Sequence, residues 1–223
     1  MKNIKSNFDD WIPSIPHYNL PGAELLSANK VDWKITPNKA ALLIHDFQKY
    51  WVNRFADSEN LQNNLSKVLK ACRNKSIPVI YTEAKKVSHP AERGLALELW
   101  GPGIGKGSQA KDNDNSIVSV VKPNEDDFII VKPKYSAFYK TDLEDMMRRT
   151  NRDQLILTGI YGHHGILATA LDAYMRNIQV FFVVDSVGDY SLEDHIMSAK
   201  YIAEVCGTLT TTDMLCEELI IKK

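Results

Sequence analysis

Three groups able to do chemistry stand where apolar runs end. "ALLIHDFQKY" carries Asp46, "FIIVKPKYSAF" carries Lys132, and "GIYGHHGILATALDAYMRN", Gly159 to Asn177, packs two glycines and two histidines into a turn between a strand and a helix. Each residue has a plain structural use. An aspartate at a strand end caps the next turn, and a lysine closing a buried strand either snorkels or finds an anion. Pairing Lys132 with Asp46 is the more specific inference, because opposite charges held close in a shielded pocket make a proton-transfer centre that responds to a ligand. The turn holds neither cysteine nor serine, so covalent catalysis has no obvious nucleophile there.

The surrounding elements must bring these groups together. From "KAALLIHD" onward, strand-length apolar runs alternate with segments of helical period, the pattern of a parallel sheet covered on both faces. The spacing predicts strands at Ala40–His45, Pro78–Thr82, Phe128–Lys132, Leu155–Ile160, Val180–Asp185 and Thr208–Thr211. Between them, residues 60–75, 141–150, 165–177 and 191–206 space their apolar side chains as helices with one buried face do, and Ser191 is suited to start the last. The expected fold class is α/β: a three-layer, Rossmann-like sandwich with a six-stranded, mainly parallel sheet. In such sheets ligands bind beyond the carboxyl ends of the strands, where Asp46, Lys132, Tyr161 and Gly165 would converge. Residues 1–38, rich in Pro, Asn and Asp, read as an extended arm packed on a single domain spanning 39–223. Residues 85–127, with the glycine-rich "WGPGIGKGSQAKDNDN", are too long for a simple connection and read as a binding loop or lid.

A 223-residue chain supports one large core without requiring two domains. With 44% hydrophobic and 25% charged residues and a net charge of −1, it has no electrostatic grip on nucleic acid or anionic lipid, so the expected partner is a small molecule. Cys72, Cys206 and Cys216 are odd in number and far apart, which argues against a disulfide framework or zinc site and for a reducing cytoplasm. Cys72 and Cys206 fall on predicted helices, and Cys216 falls in the tail. Six scattered histidines without D-x-H or H-x-x-x-H spacing make no metal site. "MKNIKSNFDDWIPSIP" lacks a signal peptide's uncharged run, and no segment approaches the roughly 18 apolar residues a membrane span needs.

Together, "ALLIHDFQKY", "WGPG", "VKPKYSAF" and "GIYGHHGILATALDAYMRNIQVFFVVDS" resemble the isochorismatase branch of the isochorismatase-like (cysteine hydrolase) superfamily, in order and spacing from about Val31 to Leu215. The similarity is greatest to the isochorismatases of siderophore and phenazine pathways. Most of the superfamily places a nucleophilic cysteine where this chain has Gly165, at a helix start that favours a thiolate. The isochorismatase branch shares that loss. The resemblance implies hydrolysis of a vinyl ether, in isochorismate or its 2-amino-2-deoxy analogue, by general-acid protonation with no cofactor and no covalent intermediate.

The same resemblance makes Asp46 the acid and Lys132 a group that orients substrate, with Gly165 leaving room for a bulky ring. It matches Arg93 to an arginine that binds a substrate carboxylate, a task suited to its bidentate fork, although an ordinary surface arginine fits too. Trp100 would form pocket wall, with plain core as the competing role. Tyr161 matches a residue preceded by a cis peptide, and backbone N–H groups from Gly162 to Gly165 would then hold a carboxylate. Phe47, beside the acid, is placed with the substrate-binding residues. His163 matches a family histidine, and His164 replaces a small aliphatic residue. Ala84 stands where the family's "YTAQP" has a substrate-binding glutamine, with Glu83 beside it, which puts the identity of the substrate in doubt.

A non-catalytic, metabolite- or partner-binding member of the fold, or a hydrolase for another small substrate, is the competing reading. A metal-dependent amidase is disfavoured by the missing cysteine. A homodimer is a family expectation. The chain stops at "CEELIIKK", past the last predicted helix, so no fused carrier domain is expected.

Overall fold

The computed structural model of the protein describes residues 13–104 and 115–220. Its strands are β1 (Ala40–His45), β2 (Val79–Ala84), β3 (Phe128–Lys132), β4 (Gln154–Ile160), β5 (Gln179–Gly188) and β6 (Thr208–Thr210). Its helices are α1 (Lys49–Val52), α2 (Glu59–Asn74), α3 (Leu95–Trp100), α4 (Leu143–Arg149), α5 (Leu167–Tyr174), α6 (Leu192–Val205) and α7 (Thr212–Ile220). The strands pair in the order β3-β2-β1-β4-β5-β6, and every pairing is parallel. The order reverses between β1 and β4, which opens a crevice at their carboxyl ends.

β1 and β4 are buried at every position, as strands covered on both faces must be. Alternation along β1 sends Leu42 and Ile44 to the layer that holds Leu61, Leu65 and Val68 of α2 and Leu215 and Leu219 of α7. Ala41 and Leu43 share the opposite layer with Leu143 of α4, Ala170 of α5 and Ile202 of α6. A Leu→Ala change at any such site costs about 2–5 kcal/mol. α6 begins as the sequence suggests, its Ser191 Oγ accepting the Asp194 N–H at 3.0 Å.

The differences from expectation lie at element ends. β2 continues past Thr82 to Ala84, and the last strand stops at Thr210 rather than Thr211. β5 runs beyond Asp185 to Gly188, because its ladder with β4 shifts register between Leu157 and Gly159 and resumes at Gly159–Val187. That irregularity delivers Asp189 and Tyr190 to the site end of the sheet. The "CEEL" tail belongs to a seventh helix, α7, which places Cys216 on a helix, while Cys206 caps the end of α6 rather than lying within it. The start of α7 is fixed by Asp185 Oδ1, which accepts the Thr212 N–H at 2.7 Å and its hydroxyl at 2.8 Å.

Within the long insertion, a 3-10 helix (Pro90–Arg93) and α3 give the described part a regular core; residues 105–114 of the expected loop lie outside the described residues. Residues 13–38 contain a 3-10 helix, Ala23–Ala28, and bury Ile15, whose N–H donates to the Arg54 carbonyl at 2.7 Å. Residues 1–12 of the expected arm are likewise outside the described residues. Among the described residues, no helix is long and apolar enough to cross a membrane.

Candidate active site

The chain leaves β1 through Asp46, whose φ of +47° lies in the left-handed region that a short polar side chain tolerates. Its N–H donates to both the carbonyl (3.2 Å) and the Oγ1 (3.0 Å) of Thr82, and Thr82 Oγ1 donates back to Asp46 Oδ1 at 2.7 Å. Lys132 Nζ meets Asp46 Oδ2 at 2.7 Å, with the lysine side chain only 4% exposed and the aspartate 16%. Lys132 pairs in register with Ala84 and so shares its face of the sheet, and its ammonium also donates to the Lys134 carbonyl at 3.0 Å. Burial by itself would push the Asp46 carboxyl up, but the ammonium of Lys132, with help from the Thr82 hydroxyl, holds it below the usual carboxylate range. The ligand-free site therefore carries an ionised Asp46.

His45, fully buried, points its ring under the turn that follows β4, with Nδ1 2.9 Å from the Ile160 carbonyl and Nε2 3.2 Å from that of Tyr135. Burial pushes its pKa down to about 4, so at neutral pH the ring carries one proton. A Cβ on Gly165 would sit 2.2 Å from His45 Cε1. His45 thus occupies the space that a side chain at position 165 would need.

The Ile160–Tyr161 peptide is cis, and Gly162–Ile166 form a π-helical turn leading into α5. The turn's N–H groups are only partly available to a ligand. That of His163 donates to Asp189 Oδ2 at 2.7 Å, and those of His164 and Ile166 go to the Tyr161 carbonyl at 3.2 and 3.3 Å. The carboxylate at this turn is the protein's own Asp189. It is buried, and it also contacts His163 Nδ1 and accepts the Tyr190 N–H at 2.9 Å. Tyr18 braces the same corner, its hydroxyl accepting the Asp189 N–H at 2.8 Å.

A cavity of about 420 Å³ opens over these strand ends. Of the sequence-selected residues, Asp46, Lys132, Gly165, Ala84, Arg93, Trp100 and Tyr161 line it. Phe47 and Gly162 do not. Phe47 is 1% exposed within the core layer under α2, because successive residues at a strand end face opposite ways. Gly162 backs onto Asp189 and Ser198, where a Cβ would come within 2.6 Å of the carboxylate. Arg93 lies against Gly103, its Nε buried without a hydrogen-bond partner, and burial lowers the pKa of its guanidinium. Ala84 adds no polar atom of its own; its N–H is held by Gln48 Oε1 at 2.9 Å.

Sequence reasoning overlooked several wall residues. Thr82, fully buried behind the wall, is a further omission: it reads in the sequence as the plain end of a strand, yet its hydroxyl holds Asp46. Tyr135 lies inside the quoted "VKPKYSAF" and accepts a hydrogen bond from Trp100 Nε1 at 2.5 Å. Tyr190 reaches the cavity only because of the β4–β5 register shift, which no sequence pattern signals. Trp51, Leu95 and Leu99 complete the apolar wall. Among the described residues, no group of three or more His, Cys, Asp or Glu side chains is placed to hold a metal ion.

A doubly wound α/β sheet with a buried acid–lysine pair at its switch point, and a glycine at the adjoining helix start, defines a small-molecule hydrolase class. The Isochorismatase domain profile matches residues 40–214. The chain is 42% identical over 212 residues to the isochorismatase of Bacillus subtilis (strain 168), covering 93% of this chain and 67% of that protein. It is 37% identical to the phenazine biosynthesis protein PhzD of Pseudomonas fluorescens, covering 91% of this chain and 97% of that protein. A cysteine hydrolase from Pseudomonas syringae pv. phaseolicola 1448A shares the fold, with a TM-score of 0.77 at 24% identity over 85% of this chain and 96% of that one. The chain belongs to the isochorismatase family.

Proposed function

We propose that the protein hydrolyses the vinyl ether of isochorismate, or of a close analogue, to pyruvate and a dihydro-dihydroxybenzoate. The observation that carries this reading is Asp46, paired with Lys132 at 2.7 Å on the wall of a cavity whose thiol position is a glycine. A carboxyl group placed there serves an acid-catalysed reaction that needs no nucleophilic side chain.

Asp46 gives its proton to the terminal vinyl carbon, and the ether oxygen's electrons stabilise the resulting oxocarbenium ion. Water adds to the ether-bearing carbon, the cationic centre of that ion, and its surplus proton returns to Asp46. The hemiketal carbon then parts from the oxygen attached to the ring, its hydroxyl becoming the carbonyl of pyruvate and passing its proton to that oxygen, which leaves as the ring alcohol, with one water consumed overall. Lys132 stands beside the acid and orients an oxygen of the enolpyruvyl group. Arg93, whose guanidinium forms no ion pair among the described residues, binds a substrate carboxylate in a bidentate grip. Trp100 and Tyr161 hold the ring. Gly165 borders the site without a side chain, the space a Cβ would take being filled by the His45 ring and not left for the substrate.

The 42% and 37% identities to an isochorismatase and to PhzD support the reaction class. Release of pyruvate from isochorismate, followed with a coupled dehydrogenase, tests it. Asp46→Asn keeps the shape but cannot donate an acidic proton, and it is expected to lower kcat by at least about 100-fold; a rate within a few-fold of the parent would remove the proposed acid.

Two coarser properties join this reading. A reducing cytoplasm suits three cysteines that are all unpaired, two of them buried. A homodimer suits the apolar outer face of edge strand β3, where Ile129 and Val131 are more than half exposed; light scattering that returns the mass of one chain would sink that assignment.

A further inference from the structure

His164 projects from the π-helical turn onto the cavity wall, and the proton-transfer scheme gives it no task. It stands inside a collar of rings, 5.0 Å from Trp100, 5.1 Å from Tyr190, 5.5 Å from Tyr135 and 6.4 Å from Tyr161 between centroids. Among the described residues neither of its ring nitrogens takes part in a hydrogen bond. A neutral imidazole offers one donor and one acceptor, and on this cavity wall both of the His164 ring nitrogens are open to solvent, so a ligand entering the cavity can take them up.

The charge pattern around it selects among ligands. The ring of His163 lies 3.9 Å away and is tied to the buried Asp189. Burial works against a charge on His163, but the Asp189 carboxylate prevails and raises its pKa. Burial, then the proximity of His163, pushes His164 down to about 4, so His164 stays uncharged at neutral pH. Both carboxylates on the cavity wall are already matched, Asp46 by Lys132 at 2.7 Å and Glu92 by Lys85 at 3.0 Å. Arg93 and Lys134 add further positive charge to the same wall. A cationic substituent on the substrate would find no unmatched carboxylate here.

We propose that His164 is a specificity-determining residue that hydrogen-bonds an uncharged hydroxyl on the substrate ring, so that the site takes a hydroxyl-bearing ring in preference to one carrying a protonated amine. The inference rests on the vinyl-ether reading and narrows it to one of the two substrates that reading allows.

The test measures kcat/KM for pyruvate release at pH 7 from isochorismate and from 2-amino-2-deoxyisochorismate, with the parent enzyme, His164→Leu and His164→Gln. The parent is expected to favour the hydroxyl substrate by about tenfold or more. His164→Leu is expected to lose about 3- to 10-fold on that substrate, mainly through KM, and little on the amine, so that the preference collapses. His164→Gln, which keeps a donor and an acceptor, is expected to recover most of it. Thermal melting separates loss of recognition from loss of fold. A parent that prefers the amine, or a preference unchanged in His164→Leu, overturns the assignment. Absence of pyruvate from both substrates with the parent enzyme overturns the vinyl-ether reading itself, and this inference with it.

Discussion

Under the proposed mechanism Asp46 poses a proton-supply problem, since an acid that starts ionised must be protonated before it can act. Thr82 donates to one carboxylate oxygen and Lys132 to the other, an arrangement that favours the anion. Because the folded pKa lies below the ordinary carboxylate value, the protonated fraction of free enzyme falls tenfold for each pH unit above it. The kcat/KM for isochorismate is therefore expected to decline with a slope of −1 in its logarithm between about pH 5 and 8. Bound substrate brings negative charge beside Asp46 and raises its pKa, so kcat is expected to hold level to higher pH than kcat/KM does. Initial rates across that range decide the matter; a flat kcat/KM would show that the carboxyl is protonated in the free enzyme or is not the acid. Asp46 and Lys132 were legible as a pair because both close apolar runs. Phe47 was misplaced for want of knowing which way the chain turns at φ +47°.

The turn after β4 is built from parts of several elements. His45 from β1 and Asp189 from just past β5 bond residues 160–166 directly, and Tyr18 of the N-terminal segment holds Asp189 in place. Gly165→Ala adds one carbon at 2.2 Å from His45 Cε1, and neither the buried ring nor the Tyr135 carbonyl at 3.0 Å has room to yield. The expected cost is about 1–3 kcal/mol of stability together with a marked loss of kcat, read by thermal melting and pyruvate release; a variant with parental melting and rate would show the packing to be loose. The central strands β1 and β4 were legible because burial on both faces writes unbroken apolar runs, and edge strand β3 because it keeps such a run although one face is exposed. Their ends were less so. β5 overran its apolar run through a register shift, and α7 was overlooked because its two core leucines, Leu215 and Leu219, give only one four-residue interval among polar neighbours. α3 was hidden in a glycine-rich stretch, and its Leu95 and Leu99 are exposed.

For the molecule as a whole, two deeply buried histidines set the behaviour in acid. Burial drives both His45 and His195 from 6.5 to about 4. His195 Nε2 faces the Val184 carbonyl at 2.9 Å, so its Nδ1 is left to accept the Tyr18 hydroxyl at 3.2 Å, a contact whose direction protonation would have to reverse. With folded values below unfolded ones, the unfolded chain binds more protons between pH 4 and 6.5. Stability from this source is complete above about pH 6.5, falls as the pH descends to about 4 and levels off below, where Asp46 begins to add its own loss. Urea midpoints are expected to drop steadily from pH 7 to 4.5; an unchanged midpoint would mean that these rings are hydrated in the folded protein. The His45–Gly165 contact also shapes which descendants this sequence can have. A side chain, a sulfhydryl included, cannot enter position 165 by a single substitution, because the imidazole must shrink first, and shrinking it removes the ring that fills the space between the Ile160 and Tyr135 carbonyls. Each step is harmful without the other, which couples positions 45 and 165 by steric epistasis.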